Sequence, residues 1–262
     1  MDFKDKTIWI TGASSGIGEA LAYAYSRKGS KIILSSRKRD QLERVQNLCE
    51  SLGGKAYVEP LDLSELKTLK GKADYILKNY GPIDLLINNG GVAQRSSVVD
   101  MDLEVEQKMM RVNFFGHAEL TRAVLPDMVQ RKKGHIVVIS SVMGKVSAPN
   151  CSTYAASKHA LHGYFDALRA EVDQHGIKVT IVCPGFVKTN ISLNAMTSDG
   201  TPHAKMDRGQ AGGISPEACA GKIIKAINRG REEINIGGPE IAAVYIKRWV
   251  PWIVSRVIKR IK

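Results

Sequence analysis

Short β-rich apolar runs alternate with longer amphipathic stretches along almost the whole chain. The runs at 7–11, 31–36, 55–60, 83–88, 134–141, 178–183 and 233–236 have the length and β-branched content of strands. Ile136-Val137-Val138-Ile139 is apolar at consecutive positions, as a strand covered on both faces would be. Between these runs, 17–28, 40–52, a stretch from about Ser64 to Tyr80, 103–130 and 154–174 read as helices. Ser215 followed by Pro216 marks a further helix start, with a cap and a proline in the first turn. Strand and helix alternating in this order, with right-handed crossovers, predict an α/β fold: one doubly wound parallel sheet of the Rossmann type with helices on both faces. The domain is expected over residues 1–238, undivided by any repeat or low-complexity linker, with 239–262 as a tail.

The turn between the first strand and first helix is the first chemical signal. Thr11-Gly12-Ala13-Ser14-Ser15-Gly16-Ile17-Gly18 puts backbone N–H groups and a helix N-terminus at one point, which suits a pyrophosphate. Gly12 allows the turn, while Gly16 and Gly18 remove side chains where backbone must approach a ligand or a strand. A plain tight turn would share this composition; its place between strand and helix favours the ligand. The end of the second strand is where dinucleotide folds select a cofactor, an acid binding the ribose 2′-hydroxyl and an arginine accommodating a 2′-phosphate. Here Ser36 takes the acid's place, followed by Arg37, Lys38 and Arg39. Cations at a helix start are misplaced unless they serve an anion. The expected cofactor is therefore NADP(H) rather than NAD(H), with Ser14, Ser15 and Lys38 assisting; the alternative is that the cations only solvate the helix start.

The densest chemistry lies between Ser141 and Lys158. Tyr154 and Lys158 are four apart, hence on one face of a helix. A free phenol titrates near pH ~10, and a neighbouring cation lowers that value. The pair is a candidate for giving a proton to a carbonyl oxygen or taking one from an alcohol. Ser141 ends the fifth apolar run, where a buried strand meets a loop. A lone Tyr-x-x-x-Lys usually marks nothing more than a helix face, so its company decides. Asn113 is part of that company: asparagine is unfavourable inside a helix and has to face solvent or satisfy buried polar groups.

Thr-Gly-x-x-x-Gly-x-Gly at 11–18, Asn-Asn-x-Gly at 88–91, and Ser141 with Tyr-x-x-x-Lys thirteen residues on together resemble the short-chain dehydrogenase/reductase family, over nearly the whole chain. Gly90 stands where the family usually has alanine, which removes no functional atom. The resemblance implies an oxidoreductase moving a hydride between nicotinamide C4 and a carbonyl or secondary alcohol. Tyr154 would be the acid/base. Lys158 would lower its pKa and hold the nicotinamide ribose, Ser141 would orient the carbonyl oxygen, and Asn113 would hold a water on the proton path to Lys158. Cofactor contacts are implied for Gly12 to Gly18, for Asp62 and Leu63 at the adenine, for Asn89, Gly90 and Gly91 near the ribose, and for Pro184, Gly185, Val187 and Thr189 near the carboxamide. Asp62 equally suits a turn before the next helix. A homo-dimer or homo-tetramer is implied, through the helices carrying Asn113 and Tyr154. Ser-Pro-Glu at 215–217 and Pro-Glu at 239–240 resemble, more loosely, the dehydrogenase/reductase member 7 branch, which acts on lipophilic carbonyls and alcohols. A non-redox enzyme of this fold, such as an epimerase, would usually add a substrate domain. A non-catalytic nucleotide-binding or scaffold protein would not need all of Asn113, Ser141, Tyr154 and Lys158.

Composition alters this picture mainly at the end of the chain. A hydrophobic content of 44% with 24% charged residues fits a folded globular domain rather than a disordered chain. Cys49, Cys151, Cys183 and Cys219 form no Cys-x-x-Cys pair and no ligand spacing with histidine, so no metal site and a reducing, cytoplasmic setting are expected. The charged start and the lack of ~18 consecutive apolar residues predict neither a secretion signal nor a spanning helix. The net charge of +12 is concentrated partly in 241–262, which holds six basic residues and no acid. On a helical projection Ile253, Val254, Val257, Ile258 and Ile261 fall within about 140°, opposite Arg256, Lys259, Arg260 and Lys262. Trp249 and Trp252 lie near the borders, and Pro251 should kink the helix. Residues 246–262 read either as a membrane-surface anchor, making the protein peripherally membrane-associated, or as a helix packed on the domain or on another subunit. Nucleic acid is not expected, because no binding module for it is present. Residues 190–213 are polar and without apolar period. They should lie over the carboxyl ends of the strands as a substrate lid, a loose connection being the alternative.

Overall fold

The computed structural model describes residues 2–260. β1 (Thr7–Thr11), β2 (Lys31–Ser35), β3 (Lys55–Val58), β4 (Leu85–Asn88), β5 (Gly134–Ile139), β6 (Ile177–Pro184) and β7 (Glu233–Ile236) form one parallel sheet in the order β3-β2-β1-β4-β5-β6-β7. The helices are α1 (Gly16–Ser26), α2 (Arg39–Ser51), α3 (Leu66–Tyr80), α4 (Leu103–Met110), α5 (Gly116–Arg131), α6 (Ser152–Val172), the short α7 (Arg208–Ala211), α8 (Pro216–Asn228), α9 (Ala242–Trp249) and α10 (Pro251–Ile258). Alternation along each strand explains the consecutive apolar residues. Ile8 and Ile10 of β1 join a core with α1, α2 and α8, while Trp9 between them joins a core with α3, α5 and α6. Strand order reverses between β1 and β4, and sheets of this kind bind ligands in the crevice outside the carboxyl ends at such a point.

Two stretches differ from the sequence-based expectation in a way that matters. The helical region 103–130 is not one α-helix. α4 stops at Met110, Arg111–Phe115 form a π-helical turn, and α5 begins at Gly116, whose amide bonds the carbonyl of Arg111. Gly116 packs against the strand-to-helix turn before α3, where a Cβ would lie 2.5 Å from the Leu63 carbonyl oxygen. The widened turn carries Asn113, and π-turns of this kind cluster at functional sites. In the tail, Pro251 does more than kink: Val250 leaves helical geometry and separates α9 from α10. Ile261 and Lys262 of the expected amphipathic stripe lie outside the described residues. Among the described residues no helix is long and apolar enough to cross a membrane.

Candidate active site

The last residue of β1 organises the crevice. The Thr11 hydroxyl accepts the amides of Asn89 (2.9 Å) and Gly90 (3.0 Å), and Asn89 Nδ2 donates to the carbonyls of Thr11 (3.0 Å) and Gly12 (3.1 Å). The turn after β4 is thus lashed to the turn after β1, and the Asn89 side chain is spent on that fastening. The loop has no room for side chains. A Cβ on Gly12, where φ is +63°, would lie 2.7 Å from Gly90 Cα; one on Gly18 would lie 2.3 Å from the Gly12 oxygen. A Cβ on Gly16 would meet Thr189 Cγ2 at 2.9 Å, which places the loop after β6 over the same point. Ser14, Ser15, Ile17 and Gly18 lie where this loop runs into α1. The fold therefore brings Gly12 to Gly18, Asn89 to Gly91 and Thr189 together at the reversal of strand order.

Leu63 is buried against this cradle, its Cδ1 2.5 Å from where a Cβ on Gly90 would stand. Asp62 Oδ1 accepts the amide (2.8 Å) and hydroxyl (2.7 Å) of Ser64, so that oxygen serves the turn before α3. At the end of β2, Ser36 Oγ accepts the Lys38 amide at 3.3 Å. Arg39 pairs with Glu43, and Arg44 with Glu19, while Arg44 also donates to the Ser14 carbonyl and braces the glycine loop from α2. Arg37 and Lys38 are exposed, and among the described residues no carboxylate pairs with either.

The proton-handling residues meet beside the cradle. Lys158 is buried, its Nζ donating to the Ile139 carbonyl at 2.8 Å and lying 5.8 Å from the centre of the Tyr154 ring. Ser141 caps the turn after β5. Its Oγ accepts the Met143 amide (3.1 Å) and donates to the Pro184 carbonyl (3.4 Å), tying the ends of β5 and β6. Gly185 continues from there, its amide bonded to the Ile236 carbonyl at 2.7 Å, and Val187 forms a parallel bridge with Ile214. Asn113 is fully buried; Oδ1 accepts the Val92 amide, and Nδ2 donates to the Val92 carbonyl and to Ser157 Oγ. A Cβ on Gly91 would lie 3.2 Å from Asn113 Oδ1 and 3.7 Å from Lys158 Nζ, so these groups share one wall.

The electrostatics correct one expectation. Burial pushes the Tyr154 phenol upward, the nearby Ser141 hydroxyl is the largest opposing influence, and the net shift is up. Lys158 does not pull it down in this structure. Its ammonium bonds the Ile139 carbonyl, and desolvation penalises the phenolate more than neighbouring charge favours it. Burial also pulls Lys158 down to about 8. At neutral pH the phenol is held protonated beside a lysine that is still charged. Any proton transfer that relies on a charged Lys158 is therefore expected to hold its rate near neutral pH and to fall as pH rises through about 8, where Lys158 loses its proton. The pH profile of kcat/KM checks this, and a flat alkaline limb would contradict it. For stability the sign is opposite. A lysine depressed from ~10.4 favours the fold most above that value, and loses this as pH falls through about 8.

Several contributors carried no sequence signal. Gln94 is fully buried, and its Oε1 accepts the amides of Thr153 (2.8 Å) and Tyr154 (3.1 Å), capping α6 where Cys151 provides no side-chain cap. Arg95 pairs with Asp207. Burial is the largest influence and opposes the Arg95 charge, but the Asp207 hydrogen bond together with the charges of Cys151, Asp207 and Tyr154 outweighs it and holds the guanidinium above its ordinary range. The Arg95 amide bonds the Met196 carbonyl (2.9 Å), and the Met196 amide bonds that of Ala93 (2.8 Å). Residues 190–213 are thus pinned to 93–95 rather than loosely connected. His117 Nε2 sits 2.7 Å from the Gly90 carbonyl oxygen; burial, then the charge of Lys158, takes it down to about 3, so it is neutral. His162, Cys183 and Glu233 bring three metal-ligand types within 4.8 Å of one another, unforeseen from their spacing. They are occupied with neighbours: Glu233 with Lys145 at 2.5 Å, and His162 with Ser140 at 3.1 Å.

Comparison with known proteins agrees with this fold. The family model for short chain dehydrogenases matches residues 6–199. A dehydrogenase/reductase SDR family protein 7-like from Anopheles gambiae is 42% identical over 97% of this chain and 82% of its own. A dehydrogenase/reductase SDR family member 7B from Danio rerio is 42% identical over 98% of this chain and 85% of its own. Among solved structures, a short chain dehydrogenase/reductase from Burkholderia phymatum in complex with NAD superposes with a TM-score of 0.84 at 25% identity, over 97% of this chain and 96% of that one. A metagenomic short-chain oxidoreductase in complex with NADP gives 0.75 at 27% identity, over 90% and 98%.

Proposed function

The chain belongs to the short-chain dehydrogenase/reductase family of oxidoreductases, and we propose that it is an NADP(H)-dependent carbonyl reductase or alcohol dehydrogenase for a lipophilic substrate. The observation that carries this reading is the shared wall of Asn113, Ser141, Tyr154 and Lys158 beside a cradle that any Cβ would fill. The cradle fits a pyrophosphate against the N-terminus of α1, and Gly12 to Gly18 with Asn89 to Gly91 would hold the dinucleotide. NADP(H), when bound, supplies or takes the hydride. Ser141, fixed by Pro184 and Met143, orients the carbonyl oxygen, and the Tyr154 hydroxyl gives it a proton. Lys158, held by the Ile139 carbonyl beside the Tyr154 ring, would hold the nicotinamide ribose, and alcohol oxidation uses the same groups in reverse. Asn113 keeps Val92 and Ser157 in place around them. Beside Tyr154 the wall is apolar, formed by Val92, Met101, Val105, Met109 and Met196, which supports a lipophilic substrate.

Ser36 in the acid's place and the unpaired Arg37 and Lys38 support NADP(H) over NAD(H). Arg37→Ala is expected to weaken NADPH binding by roughly 10–100-fold, the worth of one charged hydrogen bond, and to leave NADH almost unchanged. Fluorescence titration with both nucleotides reads the difference; equal losses would mean that Arg37 does not read the 2′-phosphate.

Two surfaces complete the proposal. Val98, Leu103 and Phe115 are exposed and line an apolar groove of about 660 Å³ on the side of α4 and α6. This groove supports assembly of a homo-dimer or homo-tetramer through the helices flanking the site. The tail supports a cytoplasmic protein that meets a membrane surface. Only Val254 of α10 is buried, whereas Trp249 is 81% and Trp252 60% exposed, with Ile253 and Val257 beside them. Packing on its own domain leaves Ile253 and Val257 of the apolar stripe exposed among the described residues.

A further inference from the structure

Lys222, Lys225 and Arg229 lie three and four residues apart along one face of α8 and its end. The fold brings Arg231, Lys145 and Arg248 to the same place from three other segments, and the six cations line a cleft of about 600 Å³ between α8, β7 and α9. Glu233 is the one acid lining it, and it is already held by Lys145 and His162. Among the described residues no carboxylate pairs with Lys222, Lys225, Arg229, Arg231 or Arg248. Complementing the C-terminal end of α8 accounts for Lys225 and Arg229. It does not account for cations converging on them from elsewhere in the chain, an arrangement that repels itself unless an anion is bound.

The cleft has a fixed wall. Lys247 Nζ donates to the Lys145 carbonyl at 2.7 Å, and Asn235 Nδ2 meets the Tyr245 hydroxyl at 3.4 Å, so α9 is fastened across it. Tyr245, Arg248 and Trp249 share one face of α9 by their spacing. The basic cleft therefore opens beside the exposed apolar ridge of Trp249, Trp252, Ile253 and Val257. Arginine forks and lysine ammonium groups are the usual partners of phosphate oxygens, and amphipathic helices with tryptophan settle at the head-group boundary. We propose that this cleft binds the phosphorylated head group of an anionic phospholipid carrying more than one phosphate, while the apolar side of α9 and α10 enters the membrane surface. The inference rests on the membrane reading of the tail. A diffuse surface potential would attract scattered cations equally well; a cleft drawing on four segments selects a compact polyanion.

The test is sedimentation of the full-length protein with three kinds of vesicle. One is phosphatidylcholine alone, one contains phosphatidylserine, and one contains phosphatidylinositol bisphosphate matched to the second in total charge. Binding to the bisphosphate vesicles is expected to be about tenfold tighter than to the serine vesicles. Lys222→Glu with Lys225→Glu should remove that preference, and inositol trisphosphate in solution should compete for it. Trp249→Ala with Trp252→Ala should weaken both anionic bindings by one factor and leave their ratio intact. Equal binding to the two charge-matched vesicles, or a preference that survives in the lysine variant, overturns the cleft assignment. Trisphosphate binding without sedimentation assigns the cleft to a soluble phosphate and overturns the lipid. Failure to bind any vesicle, with a tail-dependent oligomer in its place, removes the membrane reading itself. NADPH oxidation with a water-soluble carbonyl, measured on the same samples, should be unchanged by the lysine variant and reports on the catalytic proposal separately.

Discussion

Tyr154→Phe is expected to lower turnover by roughly 10²–10⁴-fold, the range of a lost general acid, while leaving NADPH affinity close to that of the parent. The substitution removes one hydroxyl and keeps the ring among Val92, Val105, Met109 and Met196. The fold should therefore hold. No neighbour is placed to replace the lost donor. The Ser141 hydroxyl is turned to the Pro184 carbonyl, and Lys158 Nζ to that of Ile139. Since burial keeps the phenol protonated, the loss should be largest for carbonyl reduction, where the proton is given. Nucleotide titration and single-turnover rates separate chemistry from binding. Unchanged turnover would remove Tyr154 from the mechanism.

Gly18→Ala is expected to abolish NADPH binding and to destabilise the fold. The new Cβ would lie 2.3 Å from the Gly12 carbonyl oxygen and 2.5 Å from Asn89 Nδ2. The first is backbone, and the second is the side chain that lashes the two turns together, so neither yields cheaply. Overpacking of this kind costs about 1–3 kcal/mol or more, and for a chain of this size that lowers Tm by roughly 2–12 °C. Gly71→Ala, on the surface of α3 with nothing within 4 Å of the added Cβ, is the control. It should leave binding unchanged and stabilise by up to ~1 kcal/mol through helix propensity. Normal NADPH affinity in Gly18→Ala would mean that the nucleotide does not sit on this loop.

What could be read in advance was what is written locally. All seven strands follow from apolar runs with turn signals, and the parallel sheet follows from their alternation with helices. The glycine loop and the Tyr154, Lys158 pair are likewise short-range patterns. What escaped depends on partners far apart in sequence. Thr11 became an organiser only because β4 lies beside β1, and Gln94 caps α6 from a loop about sixty residues earlier. The π-turn at Asn113 was hidden because 103–130 has continuous helical character; packing of Gly116 against Leu63 accompanies it. The direction of the Tyr154 shift was misjudged because spacing reveals a neighbouring cation but not burial. Residues 190–213 left a lid and a loose connection both open because they are polar, and the burial of Ser192, Ala195 and Met196 within them could not be read from that composition. Pro251 marked a kink in the tail where the chain in fact breaks at Val250, and only the fold placed the tail beside the basic cleft.

The most direct measurement is titration of the protein with NADPH and NADH, followed by NADPH oxidation against ketones and aldehydes graded by chain length and ring size. Tighter binding of NADPH, with turnover rising toward the more apolar carbonyls, is the expected result. Failure to bind either nucleotide would contradict the reading at its root, because the cradle of Gly12 to Gly18 and Asn89 to Gly91 would then hold something else.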